Sequence, residues 1–376
     1  MASELAFGRA RSDIDVMSRA GLPLDRFMDE AAAALQHVVP YVAACLATLD
    51  PATAMVSGVR KIGELKDAND SDITWAQIEY GADDITATTA LLSAGRVSVG
   101  VHDLTGGDVT RSVRMADLVI PRFGFRDEAR VVFADRSGAW GSVSMFRGKD
   151  DPVFTADEVS FLAAVAPSFT RGVRTGLLAQ SGRQDAVAGG GPAVIIVDHE
   201  DRIVQFTPGA RDHLDYLSSP GRGDPLTMVH ALVSAARRFA RGEMDRMPRI
   251  RVRTSDGVWL VLHAAPLSGE CGPAGNVVVT IEEARPQEVI DLVAAAFGLT
   301  ARERDVTAMV LRGADTKAIA QAMHLSPYTV QDHLKSIFDK AGVTSRRELV
   351  ARVYFDQYAS RLGGEIAPSG WFAGGR

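Results

Sequence analysis

Cysteine is nearly missing from this sequence. Its two copies in 376 residues, Cys45 and Cys271, stand far apart and make no C-x-x-C. That excludes a disulfide-stapled scaffold or a zinc ribbon and fits a reducing cytoplasm. Long apolar runs are missing too, so no membrane-spanning helix is read. The opening MASELAFGRARSDIDVM carries acids and no apolar core, so no export signal is read either. Nor is the chain basic: a formal charge of -6 and a pI near 5.8 exclude a globally cationic nucleic-acid coat. These absences describe a cytoplasmic protein with no membrane partner, long enough for two or three domains with cores of their own.

Chemistry is equally scarce. No GxxxxGK[ST] phosphate loop occurs, and the glycines at 189–191 precede a strand-like stretch instead of joining strand to helix. The eight histidines offer no H-x-x-x-H spacing, and no G-x-S-x-G elbow is found. His37 and His102 are available to a haem but stand in no context that supports one. The chain is read as a non-enzyme with no metal and no cofactor.

What is present is concentrated at residues 299–351. Thr300 and Glu303 form a capping box that starts a helix, Val306, Met309 and Val310 give it one apolar face, and Gly313 stops it. Asp315 or Thr316 caps a second helix, with Ala318, Ile319, Ala322 and Met323 as its expected apolar face. Ser326 and Pro327 open a third as N-cap and first residue. At 100° per residue, Val330, Leu334, Ile337 and Phe338 share one side of it, and Tyr328, Gln331, Asp332, Lys335 and Asp339 share the other. Ser345 with Glu348 reads as a further capping box, with Arg346 and Arg347 in its first turn. Two helices joined by a tight turn, the second with a packed and a polar face, predict a helix-turn-helix. Residues 299–361 hold ten Lys/Arg against seven Asp/Glu, leaving 31 against 40 for the remainder, so the basic part of the chain is the part expected to meet DNA.

This stretch resembles the LuxR/NarL-type (GerE-like) DNA-binding domain. Leu299, Thr300, Arg302, Glu303, Gly313, Thr316, Ile319, Ala320, Leu325, Ser326, Thr329, Val330, His333, Ile337, Lys340, Val343, Ser345 and Arg346 supply its pattern. The resemblance implies binding to double-stranded DNA as a homodimer on two half-sites about one helical turn apart, with RNA polymerase as a possible partner. It places Gln331, Asp332 and Lys335 at bases, and Ser326, Thr329, Arg346 and Arg347 at phosphates. One departure is Gln331, where the family usually has Lys or Arg, followed by Asp332. Gln can read adenine, Asp can accept from cytosine N4, and Lys335 would favour guanine.

The remainder divides into modules. Residues 1–20 are polar and expected to be loosely ordered. Residues 21–180 resemble a GAF domain, a six-stranded antiparallel sheet flanked by helices. Their helix carries Phe27, Ala31, Ala34, Leu35 and Val38, a hairpin turns at Asp50-Pro51, a second hairpin spans residues 128–148, and Thr155 with Glu158 caps a long closing helix. No secondary structure is assigned at residues 63–81, where Trp75 and Tyr80, together with Phe133, are named as candidate ligand-pocket residues or core. A linker is read at 181–192. Residues 193–284, with two strands, helices and three further strands, resemble a PAS domain. Residues 285–298 read as a connecting helix, serving either to couple or dimerise or to pack on its own domain. A tail follows at 362–376, with Trp371 and Phe372 as candidates to dock back.

Asp83-Asp84 does not stand where a response regulator needs its acidic pair, and Trp75 with Tyr80 lacks the W-x-x-x-Y spacing of an acyl-homoserine-lactone sensor. The fold class is therefore α+β multidomain: GAF-like and PAS-like antiparallel sheets flanked by helices, then a C-terminal all-α four-helix helix-turn-helix domain. Function reads as a one-component, sequence-specific transcriptional regulator of the LuxR type, modulated by a small-molecule effector or a partner. A ligand-free dimerisation scaffold with the same output is the alternative, and an enzyme a more distant one.

Overall fold

A computed structural model of the chain describes residues 4–179, 193–218, 223–254, 258–268 and 275–355. The linker at 181–192, the turn at 255–257, Cys271, and Trp371 and Phe372 in the tail lie outside the described residues. The chain forms two compact units: both sheets belong to the first, the C-terminal helices to the second.

The first unit opens with helices α1 (Glu4–Arg19) and α2 (Leu24–Gln36). Strands β1 (Ala43–Asp50) and β2 (Met55–Gly63) follow, then helices α3 (Asp72–Gly81) and α4 (Thr88–Ser93). Strand β3 (Ser98–Gly100) leads into the short helices α5 (Val101–Leu104) and α6 (Ile120–Phe123). The hairpin of β4 (Asp127–Asp135) and β5 (Gly138–Arg147) precedes the 23-residue helix α7 (Ala156–Leu178). The sheet has five strands in the order β2-β1-β5-β4-β3, one fewer than the expected six. The stretch between β2 and β4 is mostly helical and contributes only β3.

The N-terminus is also more ordered than expected. α1 buries Ala10, Ile14 and Ser18, and Asp15 accepts from Arg171 of α7 at 2.6 Å. Its polar residues are partly spent on a neighbouring helix, so polarity there does not signal a loose chain. α1 and α2 both pack on α7. The Thr155–Glu158 capping box forms as read. Gly172 of α7 lies under the Phe27 ring, where a Cβ would sit 2.0 Å from a ring carbon; any larger residue would expel that ring.

A second sheet completes the first unit. It contains β6 (Ala193–Val197), β7 (Ile203–Phe206), β8 (Arg249–Arg253), β9 (Trp259–Pro266) and β10 (Val277–Glu283), with helices α8 (Pro208–Leu217) and α9 (Leu226–Ala240) between β7 and β8. Its order, β7-β6-β10-β9-β8, repeats that of the first sheet. The two halves are joined by buried polar contacts. Arg251 of β8 donates to Asp50 at the end of β1 from its backbone N at 2.9 Å and from Nε at 2.8 Å. α9 packs on α3, and residues 227–236 are buried without interruption.

The second unit holds α10 (Pro286–Ala296), α11 (Ala301–Leu311), α12 (Thr316–Met323), α13 (Pro327–Ala341) and α14 (Arg346–Val350), the last running into a π-helical turn over Ala351–Phe355. Val306, Val310, Ile319, Met323, Val330, Leu334, Ile337, Leu349 and Val353 form its core. The apolar face of α12 differs from the one expected: Ile319, Ala320 and Met323 are buried, while Ala318 and Ala322 are exposed. Alanine is small enough to stand on either side, so spacing alone misplaces the stripe by one residue.

Candidate nucleic-acid interface and N-terminal cavity

α12 and α13 are joined by three residues, and each end of the turn is chemically fixed. Asp315 accepts from the Ala318 N–H at 2.8 Å to start α12, and His324 ends it in the left-handed region, with φ 54°. Ser326 accepts from the Thr329 N–H at 3.0 Å to start α13, and its hydroxyl lies 2.9 Å from that of Thr329. Behind the turn, Glu303 is 4% exposed. Its carboxylate takes the Thr300 N–H at 2.6 Å, the Ser336 hydroxyl at 2.7 Å and Lys340 Nζ at 2.6 Å. Burial alone would raise its pKa, but Lys340 and these donors hold it at about 2. One buried carboxylate thus ties the start of α11 to the far end of α13, and Arg302 ties α11 to the Met323 carbonyl at 2.8 Å. The angle of α13 is set from inside.

The outer face of α13 carries Tyr328, Gln331, Asp332, Lys335 and Asp339, all exposed. The three residues expected at bases therefore share one open face. The four expected at phosphates divide. Ser326 and Thr329 stand at the first turn of α13 and serve as its cap, and Arg347 is exposed. Arg346 is half-buried and donates to the Ala314 carbonyl, with Thr316 Oγ1 3.4 Å from its Nη2. Its guanidinium braces the loop before α12. Glu348 reaches back to Thr344, whose N–H it accepts at 2.7 Å, while Ser345 accepts from the Glu348 N–H at 3.2 Å. The expected box is therefore split between two residues. Sequence reading missed the bracing role of Arg346, which becomes apparent only once the loop is folded beside it.

In the first unit, α3 lies over one face of the first sheet and encloses a cavity of about 50 Å³. Its floor is a row across four strands, where Arg130 pairs with Ser144, Ser144 with Cys45, and Cys45 with Lys61. Its roof is the inner side of α3: Asp72, Trp75, Ala76 and Glu79, at i, i+3, i+4 and i+7. The end walls are ion pairs, Lys61 with Asp72 and Arg130 with Glu79 at 3.1 Å. Burial would raise the Glu79 carboxyl, but Arg130 and Arg114 hold it at about 2. Thr227 of α9 completes the lining and donates to Asp72 at 2.7 Å.

Of the three residues expected at a pocket, Trp75 and Tyr80 line this cavity. The Tyr80 hydroxyl oxygen accepts from the Val56 N–H at 2.9 Å. Phe133 does not line it. Strand alternation turns it to the opposite face, where its ring stacks on Phe169 of α7 with centroids 4.6 Å apart. Asp84 is buried and accepts from the Thr86 and Arg114 N–H groups at 2.8 Å each.

The geometry of residues 299–353 is that of a helix-turn-helix with an exposed second helix, as in bacterial transcription regulators. Residues 298–353 match the model of the family described as bacterial regulatory proteins, luxR family. The C-terminal part of the chain is a LuxR-type domain. It is 46% identical over 68 residues to the monoamine regulon transcriptional regulator of Klebsiella aerogenes, covering 18% of this chain and 29% of that protein. It is 36% identical over 67 residues to the transcriptional regulatory protein DesR of Bacillus subtilis, covering 18% and 34%. The chain thus spans about a third of the length of these relatives. Among solved structures, the VqmA–ligand–DNA complex of Vibrio cholerae is similar at 20% identity over 46% of this chain and 84% of that one, with a TM-score of 0.22. That superposition is too loose to define the first unit. Among the described residues no helix is long and apolar enough to cross a membrane.

Proposed function

We propose that the protein is a one-component, sequence-specific DNA-binding transcriptional regulator of the LuxR type. The observation that carries this reading is the open polar face of α13, braced from behind by Glu303 and set after a capped three-residue turn. A helix so presented enters a major groove with Gln331, Asp332 and Lys335 toward base edges, and Ser326, Thr329, Arg346 and Arg347 toward phosphates. A second copy of the chain supplies the other half-site, and RNA polymerase is the downstream partner. The first unit acts as the sensor, with residues 21–180 GAF-like and residues 193–284 PAS-like. The repeated β2-β1-β5-β4-β3 order of antiparallel strands supports both assignments. The cavity under α3 supports modulation by a small molecule.

Genomic-fragment selection with purified full-length protein tests the reading. Recovery of a shared, roughly palindromic site, with affinity falling steeply as salt rises, is the expected result. Weak, sequence-blind binding under all conditions would overturn it.

A further inference from the structure

Ser142 and Ser144 of β5 line the cavity, yet they are only 5% and 4% exposed. Among the described residues neither hydroxyl has a hydrogen-bond partner. The charged side chains around them are already paired. Lys61 is held by Asp72, Asn69 and the Ala68 carbonyl. Arg130 is held by Glu79, Thr88 and the Thr86 carbonyl, its Nε alone lacking a hydrogen-bond partner, and Tyr80 accepts the Val56 N–H, which leaves its own O–H as a further donor. Buried hydroxyls without a protein partner are met by water or by a ligand. A void of about 50 Å³ has room for roughly three to five waters, or for one molecule of comparable size.

We infer that this cavity is a binding site for one small uncharged polar molecule, on the order of five or six heavy atoms, hydrogen-bonded by Ser142 and Ser144 and walled by Trp75. Charge decides against the other classes. The four charged side chains that line the cavity are paired two and two. Behind them Arg114 is matched to Glu79 and Glu128, and Asp84 is satisfied by backbone and hydroxyl donors. An anionic or cationic ligand has to break one of these pairs or stay unmatched in a site of low dielectric. An uncharged one uses the two free hydroxyls and disturbs nothing. The inference deepens the sensor reading, and its test involves no DNA, so its failure leaves the DNA-binding reading standing.

Cys45 lies in the floor between Ser144 and Lys61 and reports on occupancy. Burial pushes its thiol up to about 11, so labelling is done at alkaline pH. The full-length protein is treated with methyl methanethiosulfonate, and modification of Cys45 and Cys271 is followed separately by peptide mass spectrometry. Four probes of matched size are added in turn: propane-1,2-diol and lactamide, which are uncharged, lactate, an anion, and tetramethylammonium, a cation that keeps its charge at alkaline pH. The uncharged probes are expected to slow Cys45 labelling about threefold when present at twice their dissociation constant. Cys271 labelling should stay unchanged and the charged probes should have no effect. The protection should vanish in S142A/S144A. Should that double variant fail to fold, S144A alone decides, with protection expected to fall by half or more. Equal or better protection by lactate or tetramethylammonium, none by any probe, or protection undiminished in the serine variants would overturn the inference.

Discussion

Glu303 is the buried carboxylate of the C-terminal helices among the described residues, and its partners Thr300, Ser336 and Lys340 belong to the same small domain. The first unit handles charge differently. There Glu79, Glu128, Arg114 and Arg130 form a continuous buried network between α3 and the sheet, while Asp50 meets Arg251 across two sheets. In the helical domain polar residues cap, brace or face outward, and one buried charge fixes an angle. In the first unit buried charge fills space that apolar side chains would otherwise occupy, and it surrounds a cavity. Breaking an ion pair of the second kind leaves a partner uncompensated, whereas removing one of the first kind loosens a joint.

That contrast can be broken by substitution. Arg114→Met leaves Arg130 as the one cation shared by Glu79 and Glu128 and should cost about 3–5 kcal/mol, read as a lower urea midpoint for the first unit. A loss near zero would show that the network tolerates replacement by apolar packing. Glu303→Gln should cost the helical domain about 2 kcal/mol, as expected for hydrogen bonds to a charged group, read as earlier loss of helical signal in urea. Glu79 and Glu303 are held at about 2, below the ordinary value of 4.5. A depressed folded pKa gives stability that is fully present above the unfolded value and lost as pH falls toward the folded one. The unfolding midpoint of wild type should therefore drop between pH 4.5 and 2, and Glu303→Gln should flatten that drop for the helical domain alone.

Smaller effects sharpen the same contrast in the helix-turn-helix. Lys335→Ala should cost about 1–3 kcal/mol on the preferred site and little on random sequence, measured by competition binding. Asp315→Ala removes a helix cap and should cost about 1 kcal/mol of stability. Arg347→Ala should leave stability unchanged and reduce the salt slope of DNA binding by about one. Arg346→Ala is expected to lower stability as well as affinity, because its guanidinium braces the Ala314 carbonyl. If Arg346 and Arg347 behave alike in thermal unfolding, the bracing role is wrong.

Legibility in the sequence follows the same division. The helical domain could be read nearly residue by residue, because Thr300–Glu303, Asp315, Ser326-Pro327 and Gly342 act locally and their side chains bond within a turn or so. The hairpins of β1 with β2 and β4 with β5 were equally visible through alternation and turns. α3 was not. Its inward side reads Asp72, Trp75, Ala76, Glu79, which looks solvent-facing until Lys61 and Arg130 arrive from strands distant in sequence. Trp75 and Tyr80 were found as large side chains in a polar stretch. Phe133 falls on the core side of its two readings, a choice the sequence left open because no single-strand pattern says which face of a two-sided sheet holds the cavity. Ser142 and Ser144 were visible as the polar half of an alternating strand, and only the fold shows that this half faces inward.

The Asp50–Arg251 pair has a consequence for how such chains are assembled by recombination. Arg251 is matched by a carboxylate lying some two hundred residues earlier, so exchanging either sheet for that of another protein would bury an orphaned charge. The two sheets must be inherited together as one cassette. The buried carboxylate of the C-terminal domain, Glu303, instead finds Thr300, Ser336 and Lys340 within that domain, so it travels with its partners.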